Sequence, residues 1–348
     1  MKAAGITVAA ALLLALSACD SSAAAVIAPS GPASTGASAA SQAPTAAPTA
    51  AAVKLPGKIA FTRDANIWVF ENGAARQLTN VPGAADPDWS PDGKTLAFDR
   101  QDKNSADLYV LPYPQGPARA LTNNANRVIE NNLWEMQPAW SPDATSLAYV
   151  SDRDRGKTGT LDPAAWRISV ATGARSLLRD ATQFAGGIDF PRWRPKHQSE
   201  LVYTSWTYDP QSLQVQGQLT LDGSQAGEPR ALTPAGETAL QPAWSPDGST
   251  LAYIKPNAQR NAIWLLTLDD STSATATPSP APHLLLQGQF AHPVWSPDGK
   301  SIAYLGLKNG SIDLFVQPLN DSHLPDGSPT QITSGWHLEA ASAISWGP

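Results

Sequence analysis

The stretch Pro87-Asp88-Trp89-Ser90-Pro91-Asp92-Gly93-Lys94-Thr95-Leu96-Ala97-Phe98 decides the fold, because the chain repeats it at a nearly fixed interval. Related stretches begin at Pro138, Pro191, Pro242 and Pro293. The tryptophan of this stretch recurs with separations of 51, 53, 51, 51 and 51 residues, at Trp89, Trp140, Trp193, Trp244, Trp295 and Trp346. A period of this length is typical of one supersecondary unit that is repeated as the blades of a β-propeller.

Each repeat predicts four short antiparallel strands. The proline two residues before the tryptophan suits the start of a strand, where no ladder N–H is needed. Pro91-Asp92-Gly93 predicts a tight turn, and the apolar run 95–98 that follows predicts a second strand. Leu108-Tyr109-Val110 and Ala120-Leu121-Thr122 predict the third and fourth strands. Four such strands make one propeller blade.

The two ends of the chain predict a sixth blade. Residues 58–79 contain a second, third and fourth strand without a preceding Trp-Ser-Pro, and residues 343–348 contain a first strand with nothing after it. Pairing these fragments would close the ring and cover two exposed edges. We therefore predict an all-β, six-bladed propeller over residues 57–348, closed by the C-terminal strand joining the N-terminal three.

The repeated motif resembles the TolB-like β-propeller family, whose blades carry this Trp-Ser-Pro-Asp-Gly pattern. The resemblance covers roughly residues 57–348, and four of the six units carry Trp-Ser-Pro-Asp. It implies a propeller module. Residues 20–56 are too short to supply the α/β domain that precedes the propeller in TolB itself.

Residues 1–18 are typical of a bacterial lipoprotein signal peptide. Met1-Lys2 precedes a short apolar run, which is too short for the ~20 residues of a membrane-spanning helix. Leu16-Ser17-Ala18-Cys19 resembles the lipobox, in which the cysteine becomes the lipidated first residue; the alternative is an ordinary signal peptide with an incidental cysteine. Lipidation at Cys19 predicts a membrane-anchored, extracytoplasmic lipoprotein, periplasmic or on the cell surface.

The linker composition indicates the domain organisation of the chain, and the net charge limits the classes of partner. Residues 19–56 are dominated by Ala, Ser, Pro and Thr, which predicts a disordered stalk between the anchor and a single domain. The chain carries a formal net charge of −6 and has no basic run. We therefore exclude nucleic acid and anionic lipid as partners and expect a monomer.

The sequence contains no catalytic motif, and we predict neither a cofactor nor a metal site. There is no Gly-x-Ser-x-Gly elbow and no His-Glu-x-x-His pattern. The acidic stretch 151–156 lacks the ligand spacing of a calcium loop and predicts a polar turn. The aspartates that recur in the turns are predicted to bond the local backbone: Asp92, Asp143, Asp247 and Asp298.

The position three residues before each repeat tryptophan supplies the first set of candidate binding residues. It reads Asp86, Gln137, Phe190, Gln241, His292 and Ala343. Four of these are polar, at the point where the inner strands converge on the channel mouth. Propeller pectate-type lyases hold a metal near this place with a His/Gln set, but a single histidine stands here. We predict a hydrogen-bonding ring for water or a ligand.

Three tryptophans outside the repeat supply the second set: Trp134, Trp206 and Trp336. All three map to loops on the face opposite the Ser-Pro-Asp-Gly turns, together with the loop 123–137 and the insertions 151–164 and 204–216. They either anchor these loops against the propeller or form an aromatic contact surface for a peptide or a glycan.

These patterns favour a non-enzymatic, envelope-anchored binding or scaffolding lipoprotein that presents its loop-rich face to a protein or glycan partner. The alternative is a carbohydrate-active or peptide-processing enzyme with its site at the channel mouth, where Asp86 and His292 are the only obvious titratable pair. An extracellular sensor positioned by its stalk is a third alternative.

Overall fold

The computed structural model describes residues 54–153, 163–181, 186–209, 214–223, 228–257, 260–268 and 281–348. These residues form six four-stranded antiparallel sheets, arranged as six blades. Blade 1 contains β1 (Lys58–Arg63), β2 (Asn66–Glu71), β3 (Ala74–Gln77) and the last strand, β24 (Ser345–Gly347). Blade 2 contains β4 (Ala84–Trp89), β5 (Thr95–Gln101), β6 (Ala106–Pro112) and β7 (Arg119–Ala120). Blade 3 contains β8 (Glu135–Trp140), β9 (Ser146–Ser151), β10 (Ala164–Ser169) and β11 (Arg175–Arg179).

The remaining three blades follow the same order. Blade 4 contains β12 (Gly186–Trp193), β13 (Glu200–Asp209), β14 (Gln214–Gly223) and β15 (Arg230–Ala231). Blade 5 contains β16 (Leu240–Trp244), β17 (Thr250–Pro256), β18 (Asn261–Thr267) and β19 (His283–Gly288). Blade 6 contains β20 (Phe290–Trp295), β21 (Ser301–Lys308), β22 (Ser311–Pro318) and β23 (Thr330–Gln331). A single 3₁₀ turn, Ile129–Asn131, is the one helical segment in the described part of the chain.

The ring closes as the sequence predicts. β24 pairs antiparallel with β1, with Ile59 opposite Trp346 and Lys58 opposite Gly347. The indole Nε1 of Trp346 donates to the carbonyl of Pro56 at 2.6 Å, and the Lys58 ammonium donates to the carbonyl of Pro348. The prediction of an all-β, six-bladed propeller with one strand from the C-terminus is confirmed.

The strand directions define two faces. The inner strands of blades 2 to 6 end at their tryptophans and lead into the turns that carry the Ser-Pro-Asp-Gly pattern or its variants. We call this side of the propeller the turn face and the other side the loop face. Pro112 at the end of β6 lies opposite Thr95, next to a turn, so the connections from third to fourth strands also lie on the turn face. Irregular segments therefore lie on both faces, since segments 113–118 and 319–329 lie on the turn face.

The turns are held by their own side chains. Ser90 Oγ donates to Asp92 Oδ1 at 2.7 Å, while Asp92 Oδ1 accepts the Lys94 N–H and Ser90 Oγ accepts the Thr95 N–H. The same serine–aspartate bond recurs at Asp143, Asp247 and Asp298. The predicted backbone-bonding role of the four aspartates is confirmed.

Blade 4 lacks the serine–aspartate bond, and Arg194 makes other contacts in its place. Arg194 replaces the serine, and its Nε donates to the carbonyl of Gly248 at 2.6 Å, in the turn of blade 5. Its guanidinium also pairs with Glu200 at 2.8 Å and lies 5.2 Å from the ring centroid of Trp244. The substitution therefore exchanges a bond within a turn for bonds between two blades.

The core lies between neighbouring blades. Each repeat tryptophan is buried against the preceding blade; Trp140, for example, packs with Ala97 and Val110 of blade 2.

The threonine of the Leu-Thr pattern in the fourth strands bonds to the third strand. The hydroxyls of Thr79, Thr122, Thr233 and Thr333 accept third-strand N–H groups at 2.9, 2.9, 3.1 and 2.9 Å.

Candidate functional site

The inner strands bulge at the predicted ring position in five blades. Here the residue three before the tryptophan adopts positive φ and the ladder shifts register: Asp86 (+49°), Gln137 (+56°), Phe190 (+50°), Gln241 (+55°) and His292 (+50°). Side chains other than glycine rarely adopt this conformation, and a bulge is a common reason for it. Because the same strain recurs at one position of the repeat, it belongs to the architecture of the channel.

The polar side chains of this ring join one blade to the next. Gln137 Oε1 accepts the N–H of Phe190 at 2.7 Å, and Gln241 Oε1 accepts the N–H of His292 at 2.8 Å. Asp86 Oδ1 accepts the N–H of Ala343 at 2.7 Å. The bonds to Phe190 and His292 satisfy backbone donors at bulge positions, and the bond to Ala343 satisfies a donor just before β24. The ring residues therefore stabilise the channel wall, and their predicted role in ligand binding stays a prediction.

A second layer lies two residues further along the inner strands. Asp88 Oδ2 accepts the N–H of Trp140 at 2.8 Å, and Ser345 Oγ accepts the N–H of Trp89 at 3.0 Å. Ser345 also contacts Asp88, at 3.3 Å between its Oγ and the Asp88 Oδ1. Blades 1, 2 and 3 are thus tied twice at the channel.

His292 is a neutral, enclosed residue. Burial, with a smaller contribution from the positive charge of Arg192, lowers the pKa of His292 to about 3. Its Nε2 lies 3.0 Å from the carbonyl oxygen of Ala340, so the neutral ring donates there. The ring also meets Phe190 edge-on, with centroids 5.2 Å apart. The cavity beside these rings has a volume of about 10 Å³, room for roughly one water molecule.

Four carboxyl groups of blades 2 and 4 have raised pKa values: Asp86, Asp88, Asp99 and Asp189. Two of them, Asp86 and Asp88, lie within reach of the charge of Arg192. Burial raises the pKa of Asp86 and of Asp88, and the charge of Arg192 partly opposes this in both. Burial and the nearby Asp86 raise the pKa of Asp99 well above its usual range. Burial raises the pKa of Asp189 to about 7. Asp88 and Asp189 keep partial solvent access, whereas Asp86 and Asp99 are enclosed.

Trp206 does not lie in a loop, so that prediction is wrong. It lies in β13, opposite Gly187 of β12 and Gly217 of β14. The absence of a side chain at Gly187 makes room for the indole, because a Cβ there would lie 2.8 Å from Trp206 Cζ2. Residues 204–209 and 214–216, assigned to an insertion from the sequence, extend the hairpin of β13 and β14.

Trp336 and Trp134 lie outside the strands, as predicted. Trp336 packs edge-on against Phe61 and Trp68, with centroids 6.1 Å apart in both pairs, and the Arg63 guanidinium lies 4.6 Å from its ring. These contacts match the loop-anchoring interpretation. Trp134 precedes β8, bridges to Ala106, and donates its N–H to Asp152 Oδ1 at 2.9 Å.

Segment 123–134, which we call the asparagine loop, lies on the loop face and is held by its own asparagine side chains. Asn132 Oδ1 accepts the Asn126 N–H at 2.6 Å, and Asn126 Oδ1 accepts the Val128 N–H at 2.9 Å. The loop leaves Val128 52% and Ile129 62% exposed. Sequence reasoning placed a loop here but missed this apolar tip, although a Val-Ile pair within an asparagine-rich loop was a visible signal.

The structure leaves some predictions untouched. Cys19 and the signal peptide lie outside the described residues, as do residues 154–156 of the acidic stretch. Among the residues that are described, no group of three or more histidine, cysteine, aspartate or glutamate side chains could hold a metal ion. Across the same part of the chain, no helix has the length and apolar character needed to cross a membrane.

No family model matches the chain. Among curated proteins, it is 27% identical over 203 residues to the uncharacterized peptidase YuxL of Bacillus subtilis, a match that covers 54% of this chain and 25% of that protein. It is 27% identical over 122 residues to the Tol-Pal system protein TolB of Alcanivorax borkumensis, covering 35% of this chain and 24% of that protein. The chain thus spans about a quarter of the length of each of these two relatives.

Solved structures show the same fold. TolB from Acinetobacter baumannii superposes with a TM-score of 0.62 at 15% identity, over 84% of this chain and 67% of that one. A putative TolB from Agrobacterium tumefaciens gives a TM-score of 0.52 at 17% identity, over 71% and 86%. At these identities the structures establish architecture alone. The TolB relative adds a partial sequence match to this likeness of fold.

Proposed function

We propose that this protein is a non-enzymatic, envelope-anchored binding or scaffolding lipoprotein whose propeller presents its loop face to a protein or glycan partner. The observation that carries this proposal is the asparagine loop, which holds two exposed apolar side chains on a closed ring. Val128 and Ile129 are adjacent and exposed together, and exposed apolar patches on an ordered surface mark contact sites. The proposed site also takes in Trp134, at the end of the asparagine loop, and the ring residues Asp86, Gln137, Gln241 and His292.

The attachment of the linker supports the choice of face. β1 begins beside Gly347 at the end of the C-terminal strand, and Gly93 of a Ser-Pro-Asp-Gly turn lies against Lys58 and Pro348. The linker therefore joins the propeller at the turn face. With a lipid anchor at Cys19 and residues 19–56 as a stalk, the loop face is the side remote from the anchor, available to a partner outside the cytoplasm.

The relatives offer some support both for a binding function and for an enzyme. The name of the TolB relative places that protein in the Tol-Pal system, which favours work within an assembly of proteins. The peptidase name of the Bacillus relative motivates the enzyme alternative, with Asp88 and Asp189 at the channel as its candidate acids. We favour binding because the polar ring side chains already accept backbone N–H groups, which leaves few groups free for chemistry.

The test compares two matched surface variants of the full-length protein. Ile129→Asp changes an exposed apolar residue on the loop face, and Leu324→Asp changes one that is 47% exposed on the turn face. A partner is first captured with the anchored wild type from solubilised envelope, identified and purified. Titration should then show binding weakened by ~1–3 kcal/mol in Ile129→Asp and unchanged in Leu324→Asp.

Two outcomes contradict the proposal. Weakened binding in Leu324→Asp alone would place the partner on the turn face. Turnover of peptides or oligosaccharides by the wild type, lost in Asp189→Asn, would establish the enzyme alternative instead.

A further inference from the structure

Two of the channel carboxyl groups are enclosed together. Asp86 of β4 is 4% exposed and Asp99 of β5 is fully buried, and their side chains are hydrogen-bonded to each other. Two adjacent ionised carboxylates repel strongly where water is excluded, so one of the pair keeps its proton and donates it to the other. Asp99 is the donor and Asp86 the acceptor, since the bond favours the charged form of Asp86 and the neutral form of Asp99.

Each member of this pair also holds a neighbouring blade. Asp86 Oδ1 accepts the N–H of Ala343 in the segment that leads into β24, and the Asp86 N–H donates to Ser342 Oγ at 2.8 Å. Asp99 Oδ1 accepts the N–H of Gln137 in blade 3 at 3.0 Å. The pair therefore connects blades 1, 2 and 3 at the place where the C-terminal segment closes the ring.

We propose that the Asp86–Asp99 pair is a proton-dependent latch on the closure of the propeller, which holds segment 342–347 against blade 2 while the proton is shared and releases it when the proton is lost to water. The closing strand β24 has just three ladder partners in β1, so the contacts from blade 2 are a large part of its attachment. This latch goes beyond the proposed binding function and does not depend on it.

The charges around the pair favour retention of the proton. Arg192 of β12 is the cation that faces Asp86, whereas Glu339, in the segment before β24, adds negative charge. Asp189 of β12 also faces Asp86, and Asp88 lies on the same strand. Gln137 and Gln101 donate neutral hydrogen bonds to Asp99. Loss of the shared proton would thus place a second buried charge in a site that is already rich in carboxyl groups.

The direction of the pH effect follows from the raised pKa of Asp99. A carboxyl whose folded pKa lies above its unfolded value contributes stability at low pH, and this contribution is lost as the pH rises through the folded pKa. The latch should therefore loosen in alkali. Carboxylates that are stabilised by ion pairs behave in the opposite way, because they lose their contribution in acid.

Hydrogen exchange of the full chain tests the latch. Exchange of peptides that cover 342–347 is compared with that of peptides from β17 at successive pH values, from acid up to the onset of global alkaline unfolding, after correction for the intrinsic rate. In the wild type, protection of 342–347 should fall by about tenfold or more relative to β17. Asp99→Asn should hold that change to about threefold or less, because an amide donates to Asp86 and accepts from Gln137 at any pH.

Asp326→Asn removes one charge from an exposed turn-face loop and should behave as the wild type. A pH-independent protection of 342–347 in the wild type overturns the proposal, and so does an equal alkaline loss in Asp99→Asn. If Asp99→Asn does not fold, Asp86→Asn replaces it, since its amide can donate to an ionised Asp99 while its oxygen accepts from Ala343. An alkaline loss that persists in Asp86→Asn overturns the proposal equally.

Discussion

Asp189 is a carboxyl group whose charge state changes near neutral pH. Burial raises its pKa from 3.8 to about 7, against the bond from Gln137. The contribution of the protonated Asp189 side chain to the free energy of unfolding is complete below about pH 4 and is lost as the pH rises to about 7. Asp189→Asn should therefore raise the melting temperature at about pH 8 by roughly 2–4 °C per kcal/mol gained, and by less at about pH 5. Thermal unfolding at both pH values measures this.

The exposed Asp326→Asn variant serves as the control for Asp189→Asn and should leave the melting temperature unchanged at either pH. A stabilisation by Asp189→Asn of equal size at both pH values would show that packing, and not ionisation, limits stability at this position.

Single residues differ in how far the sequence predicts them. The role of Asp92 follows from its position in the turn, because its partners lie within three residues. The bond from Phe190 to Gln137 spans 53 residues and depends on how adjacent blades pack, which no local pattern contains. The repeat alignment identified the ring position, but the positive φ that turns these side chains toward neighbouring blades was visible only in the structure.

At the scale of elements, the testable feature is the closing strand β24. Deletion of residues 343–348 removes the ladder to β1 and the buried Trp346, whose contacts join blades 1 and 6. Loss of a buried tryptophan alone costs about 3–5 kcal/mol, so urea unfolding should show a loss of at least this size. Trp346→Phe, which keeps the ladder, should lose less. A deletion variant that melts within a degree or two of the wild type would contradict closure by this strand.

Strand number was predictable from the sequence, and strand length was less so. The turn chemistry and the apolar runs fixed four strands for each repeat. The length of the hairpin of β13 and β14 was not predicted. Its stretch Ser205-Trp206-Thr207-Tyr208 carries polar and aromatic residues, a composition that also occurs in loops. The outer strands vary for a related reason, since β7 has two residues and β11 has five, and exposed edges place weak demands on sequence.

The proposed anchoring is a property of the whole molecule and depends on Cys19, which lies outside the described residues. Cys19→Ser should release the protein from membranes or block its processing, because it removes the acyl chains that hold it there. Membrane fractionation of the full chain measures this, with Leu324→Asp as a variant that should stay anchored. Detergent-sensitive retention of a correctly cleaved Cys19→Ser protein would argue against lipidation.

The shared blade has a consequence for the time course of folding. Ala343 bonds to Asp86 across 257 residues, and β1 must wait for β24 before its inner edge is covered. Contacts between residues this distant in sequence form only after the entropy cost of closing a long loop has been met, and this slows folding. A chain that emerges from its N-terminus can complete blades 2 to 6 one after another. Blade 1, the first to be synthesised, is the last to become whole, so an unfinished chain carries an open sheet edge until its final residues arrive.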